Sequence, residues 1–408
     1  MSHIVNQPSR AREVGYITRF LPAYRQVVMK ALADRLSHGL VIGSGQPPGS
    51  SAFDALLPPE EATASTIEPI VLPNRWFHGE KLHWQAYSPM LKRARQPKVL
   101  VIEESPRTLS LRPLLRQARR RGIKTILWGH FASIHRPFDP DDWQDRRRLK
   151  TAGMADALLT YTDASRNRLH DALPDAHIFT ARNTLDTNTL FPLGDALISE
   201  GRPSIRARLG LGDRPTLLFL GRLIPEKKPV QVIDIAAALR TGANPAQVVV
   251  IGDGPERFAV QARAAELNVP LTWTGALSDL SESAPWIAAS DALVNPGYLG
   301  LSINHAFSLG VPVVAPRPDP DGTGHSQEWV FMKDGENGRF AADDSEKELT
   351  RAVSDVLNDG AGYQRRAAAF AREELSLERM VDGMLSAILH VAPDVSLSDP
   401  SDQPVSTS

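Results

Sequence analysis

The chain has 408 residues and a mass of 44.7 kDa, room for two or three domains at about 100–200 residues each. Lys and Arg number 46 against 47 Asp and Glu. So even a balance argues against a dedicated nucleic-acid binder, which needs excess cation to displace counterions. There is no cysteine, which excludes disulfides, thiolate metal sites and cysteine nucleophiles.

No apolar run approaches the ~18–20 residues of a membrane span. Residues 1–13 are polar and lack the apolar stretch of a secretory signal, so the expected location is the cytoplasm. In the first half, short apolar or β-branched runs fall at 14–17, 40–42, 70–72, 99–102, 125–127 and 157–161. Amphipathic helical patterns lie between them, notably at 24–36 and 111–121. The second half repeats the scheme, with runs at 216–220, 247–251, 271–273, 292–295 and 311–315. Runs without alternation suit strands buried on both faces of a parallel sheet. Strand alternating with helix implies βαβ units. The expected fold class is α/β, two doubly wound domains facing across a cleft, with ligands beyond the carboxyl ends of the strands. Punctuating Pro and Gly over 191–215 separate the halves. The predicted domains are 1–195, 196–362, a pair of helices at 363–390 packing back on the first domain, and a disordered tail at 391–408. Residues 46–59 read as a mobile loop.

Three glycine loops each follow a predicted strand of the second half. At the first, Gly221 permits a tight turn, and Arg222 and Lys227 project from the loop. Two cations there can neutralise a diphosphate, Arg as a planar fork and Lys as a point charge; a plain βα turn with solvated charges fits the spacing equally well. The second loop holds Gly252, Gly254 and Glu256 and lacks the third glycine of the dinucleotide fingerprint. Gly43, Gly45 and Gly49 miss that fingerprint by one residue, and no Walker A sequence is present. In the third loop a helix is predicted from about Leu301, so the amides of Gly300, Leu301 and Ser302 form an anion site. His305 lies on the first turns of that helix.

Taken in order, these loops resemble the C-terminal half of retaining GT-B glycosyltransferases of glycosyltransferase family 4. The pieces are Gly221-Arg222 with Glu226-Lys227, then Gly252 to Glu256, then Gly300-Leu301-Ser302 with His305-Ala306 and Gly310-Val311-Pro312, then Asp334 to Gly338. The resemblance covers 215–340 well and the first half loosely. It implies transfer of a sugar from a nucleotide diphospho-sugar, with retention at the anomeric carbon and with no metal or other cofactor. It places the diphosphate on Arg222, Lys227 and the amides of 300–302, and the base near Gly252–Glu256. The family's two glutamates, eight positions apart, bind the donor sugar and the ribose; here Gly297 and His305 stand in their places. His305 can still hydrogen-bond a hydroxyl, or it is a satisfied histidine of a helix start.

In the first half, His130 follows the run at 125–127 and resembles the family's active-site histidine; a locally bonded loop histidine is the alternative. Tyr24, Arg25 and Glu103 are expected on the acceptor side, with Glu104 beside them; solvated acids fit Glu103 and Glu104 as well. Glu328 with Trp329 resembles the family's acidic stretch, and Asn183 with Asp186 its domain-ending segment. The implied partners are a nucleotide-sugar donor and a saccharide or lipid-linked acceptor, in the setting of bacterial surface polysaccharide or lipopolysaccharide assembly. The pairs Asp139/Asp141 and Asp319/Asp321 would suit a metal-dependent GT-A transferase. A sugar-nucleotide epimerase shares the architecture, and a nucleotide-binding pseudoenzyme is the non-catalytic reading raised by Gly297. Two basic stripes, at 107–124 and 146–150, suggest peripheral contact with the inner face of a membrane or plain solvated helix faces.

Overall fold

The computed structural model describes residues 12–47, 66–92, 96–133, 135–241, 244–319 and 323–399. Two compact units emerge. The first comprises residues 1–132, 139–182 and 378–408, and the second residues 133–138 and 183–377.

The first unit holds β1 (Val14–Thr18), β2 (Leu40–Ser44), β3 (Ile67–Val71), the hairpin strands β4 (Asn74–Phe77) and β5 (Leu82–Gln85), β6 (Val99–Glu103), β7 (Lys124–Gly129), β8 (Ala157–Thr160) and β9 (Ile178–Thr180). Seven of them form one sheet in the order β3-β2-β1-β6-β7-β8-β9, all parallel. The second unit holds β10 (Thr216–Leu220), a two-residue pair β11 (Arg240–Thr241) and β12 (Asn244–Pro245), β13 (Gln247–Ile251), β14 (Leu271–Gly275), β15 (Ala292–Val294), β16 (Val313–Pro316) and β17 (Gly338–Ala341). Its sheet runs β14-β13-β10-β15-β16-β17, again parallel throughout. Counted within that sheet the order is 3-2-1-4-5-6, the doubly wound arrangement, and the strand order reverses between β10 and β15. β1, β10, β13 and β15 are buried along nearly their whole length, as expected of strands covered by helices on both faces. Thus the predicted α/β class holds in each unit.

Several boundaries differ from expectation. The division falls at 182/183, not at 195/196. The helix Gly360–Glu374 belongs to the second unit, and only Leu377–Val391 packs mainly with the first. Gly383 makes that possible: a Cβ there would lie 3.0 Å from the backbone of Ala181, at the end of β9. The tail at 392–399 is not loose. Val395 is buried, Ser396 N donates to Glu13 (2.8 Å), and Ser37 N donates to Ser396 O (3.0 Å). Lys98 bridges Glu13 and Asp394. Few apolar side chains suffice there because backbone and ion pairs tie the segment down. Residues 48–65, most of the expected loop, and residues 400–408 of the tail lie outside the described residues.

Candidate nucleotide-sugar site

The two loops that leave the second sheet at its switch point are locked together by backbone. Gly221 N donates to Ile251 O (2.9 Å), Leu223 N to Asp253 O (2.9 Å) and Glu256 N to Leu223 O (3.0 Å). Gly252 and Gly254 have φ of +147° and +156°. A Cβ at Gly252 would lie 2.9 Å from the Gly221 carbonyl carbon, and one at Gly254 2.8 Å from that of Leu223. These glycines therefore let two backbones meet, which fixes the loop carrying Arg222. Glu256 is half-buried and precedes the helix Arg257–Leu267.

Lys227 ends a short 3₁₀ turn, Pro225–Lys227, and is only 8% exposed. Its Nζ donates to Tyr298 O (3.0 Å) and lies 5.5 Å from the Tyr298 ring. Burial, then the charge of Arg222, push its pKa down to about 8 against an opposing pull from Glu328. Arg222 is exposed, and among the described residues no carboxylate pairs with it. Gly300 lies beside Lys227 too, its Cβ direction ending 3.9 Å from Nζ and 3.9 Å from Ser326 Oγ. The amides of Gly300, Leu301 and Ser302 find no acceptor among the described residues, and Ser302 Oγ is buried without a partner. A guanidinium, an ammonium and three free N–H groups thus gather at the carboxyl ends of β10 and β15. Fixed donors of that kind suit a diphosphate, because they need no reorganisation when its charge grows.

A second layer holds the glycine loop. His325 is buried, its Nδ1 accepts from Leu299 N (3.0 Å) and its Nε2 faces Pro316 O (3.1 Å). Accepting at one nitrogen and donating at the other requires the neutral ring, and burial first of all holds its pKa below the ordinary value. Ser326 N donates to Leu299 O (3.0 Å), and Ser326 Oγ donates to Glu328. Asn183 Nδ2 donates to the other oxygen of Glu328 (2.7 Å), and Asn304 Nδ2 to Asn183 O (2.8 Å). Glu328 and Asn183 therefore meet across 145 positions of sequence. His305 lies on the helix Ser302–Ser308. Its Nδ1 is buried without a partner among the described residues, and burial pushes its pKa down to about 4.

In the first unit His130 follows β7, its ring 4.7 Å from that of Tyr161. The next residue, Phe131, is fully buried at φ +54°. A bulky residue in that region is strained and needs support. Glu104 provides it: its carboxyl accepts from the Phe131 backbone and pairs with Arg148 at 3.2 Å. A Cβ on Gly129 would sit 2.6 Å from that of Glu104, so strand end and acid are in contact.

Residues 214–359 match the family model for glycosyl transferases group 1. The chain is 26% identical, over 72% of its length and 75% of the relative's, to the GDP-mannose-dependent alpha-(1-6)-phosphatidylinositol dimannoside mannosyltransferase of Mycobacterium tuberculosis. It is 27% identical, over 42% and 50%, to the lipopolysaccharide core biosynthesis glycosyltransferase LpsE of Rhizobium meliloti. Among solved structures, HepE of Anabaena in complex with UDP aligns with a TM-score of 0.66 at 16% identity, over 93% of this chain and all of that one. The fold is GT-B.

Within the GT-B frame, two acceptor-side expectations change, those for Glu103 and Glu104. Glu103 offers no free lone pair: Oε2 accepts from Thr18 Oγ1 (2.7 Å) and Arg19 N (2.9 Å), and Oε1 from Arg19 Nε (2.9 Å) and Nη2 (2.5 Å). Burial pushes its carboxyl up, and Arg19 with these hydrogen bonds outweighs that and holds it below the usual value. It fastens the β1 and β6 ends together rather than facing a ligand. Arg25 is 5% exposed, its guanidinium carbon 5.3 Å from the centre of the Tyr24 ring, which is 39% exposed. Glu104, expected to touch an acceptor or solvent, supports the His130 loop instead. Asp139 and Asp141 form a local turn, Asp141 N donating to Asp139 Oδ1 (2.8 Å) ahead of the Asp142 cap; Asp321 lies outside the described residues. Tyr298 and His325 were missed. Nothing in the spacing marks them, though both stand within or after a glycine loop already singled out.

Proposed function

We propose that this GT-B protein transfers a sugar from a nucleotide diphospho-sugar, with retention and without a metal, to a saccharide or lipid-linked acceptor. The observation that carries this reading is the gathering of Arg222, Lys227 and the free amides of 300–302 at one switch point. Charge builds on the leaving diphosphate as the anomeric bond breaks, and those groups stabilise it. The acceptor hydroxyl bonds to the anomeric carbon on the face the phosphate leaves, and its proton goes to the departing phosphate oxygen. The relatives act in mannoside and lipopolysaccharide assembly by their names, which supports the same setting here and makes GDP-mannose the first donor to try.

The test is calorimetric binding of GDP and UDP, followed by product analysis with the matching sugar nucleotides. Binding by one nucleotide is expected, with Arg222→Ala weaker by about 2 kcal/mol or more, roughly 30-fold. The product's anomeric configuration, read by NMR, should match the donor's. Turnover without an acceptor to an isomeric sugar nucleotide would mean an epimerase, and binding without turnover a pseudoenzyme.

We also propose peripheral contact with the inner face of a membrane. No helix of the described residues is long and apolar enough to cross one. Arg116, Arg119, Arg120, Arg146 and Arg147 are exposed, whereas Arg112, Lys124 and Arg148 are engaged within the fold. Sedimentation with anionic vesicles at low salt should carry the protein down, and 0.5 M salt should release it, as expected for a short screening length; no sedimentation at low salt removes the idea.

A further inference from the structure

The first unit carries a buried cation with no counter-ion among the described residues. Arg25 lies on the first turns of the helix Ala23–Asp34, which follows β1. Its guanidinium carbon is 4.3 Å from the centre of the Trp128 ring, 5.3 Å from that of Tyr24 and 5.5 Å from that of Tyr161. Trp128 is the next-to-last residue of β7 and Tyr161 follows β8, so the box stands near the carboxyl ends of parallel strands, where this class of fold takes its ligands. Among the described residues Nη1 is buried without a hydrogen-bond partner and no carboxylate pairs with Arg25.

Its neighbour Arg19 shows the contrast, since there a glutamate fills the fork. Three aromatic faces offset part of the cost of burying a guanidinium, and the Tyr24 hydroxyl accepts one of its N–H groups, but they supply no negative charge and leave Nη1 unmatched. A buried charge is normally paired. The missing partner is an anion, and a guanidinium fork selects planar or tetrahedral oxyanions. Tyr161 bridges this box to His130, its ring 4.7 Å from the imidazole. Tyr24 is the only exposed ring among the three around the guanidinium.

We propose that Arg25 is the recognition group for an oxyanion, a phosphate ester or carboxylate, carried by the acceptor. This deepens the glycosyltransferase reading and rests on it for the word acceptor, though not for the anion.

The experiment uses the full chain with Arg222→Ala and Lys227→Met, so that donor-side phosphate binding does not intrude. Calorimetry would compare glycerol 1-phosphate with glycerol, and glucuronate with glucose. At least one anion should bind tenfold or more tightly than its neutral counterpart, and which one wins separates phosphate from carboxylate. Adding Arg25→Gln should erase the difference, and Arg25→Lys should retain part of it, since charge survives but the fork does not. No preference for either anion, or a preference unchanged by Arg25→Gln, overturns the proposal. Should Arg25→Gln fail to fold, the anion-to-neutral comparison decides alone. Nucleotide binding by the wild-type protein tests the glycosyltransferase reading separately, so its success beside a failed anion preference sinks this inference only.

Discussion

Replacing Lys227 with Met is expected to weaken nucleoside diphosphate binding by about 2–3 kcal/mol, roughly 30- to 150-fold, the scale of a lost charge-assisted contact. The fold should survive. Lys227 is buried and its pKa is depressed to about 8, so the fold disfavours the ammonium and removing it relieves that cost. Tyr298 O keeps a second donor in Asn295 Nδ2 (3.1 Å). The pH dependence carries a sign that separates binding from stability. In the free protein Lys227 is charged below pH 8 and neutral above it, so affinity should fall as pH rises from 7 to 9.5. Stability runs the other way: the unfolded chain still holds that proton between pH 8 and 10.5, so this group's contribution rises with pH there. Calorimetry across that range should show the wild-type loss of affinity near pH 8 and none in Lys227→Met. A pH-independent wild-type affinity, or equal affinity in the variant, would remove Lys227 from the diphosphate site.

Placing at position 297 the glutamate of the family this sequence resembles, by Gly297→Glu, is expected to damage the protein, not to improve it. A Cβ at Gly297 would overlap Glu226 O and lie 2.8 Å from the Lys227 carbonyl carbon. Tyr298 N donates to that same Glu226 oxygen (2.9 Å), so the two loops are already in backbone contact. Overpacking of this kind costs about 1–3 kcal/mol, and here it would push directly on Lys227. Both Gly297→Glu and Gly297→Ala should lower the thermal midpoint by several degrees and weaken nucleotide binding together. A Gly297→Glu protein with an unchanged midpoint and faster turnover would show that the position lacks only a side chain. The physical reason for glycine here is therefore the close approach of the 226–227 loop, a distance that no local pattern encodes.

The contrast between the elements of the two units shows what a sequence pattern reveals. β10 and β13 were located to the residue, because uninterrupted apolar runs bounded by glycine have few other uses in a parallel sheet. β9 and β17 were missed: Ile178–Thr180 is three residues long, and Gly338–Ala341 carries an arginine and no branched run. The hairpin β4–β5 escaped because its tryptophans and charges alternate irregularly. Arg222, Lys227 and the 300–302 amides were legible because short-range spacing after a strand already places them at a strand's end.

The order of strands and loops, the glycine positions and the cations that follow them were thus determined by sequence alone, since each depends on neighbours within a few residues. Tertiary structure decided which charges are spent and which are free. Glu103 and Arg25 are equally polar in the sequence, yet the first is saturated by Thr18 and Arg19 while the second is enclosed by Trp128, Tyr161 and Tyr24. Hydrogen-bond capacity is filled by partners up to 383 positions away, and only the folded chain brings those partners within 3 Å.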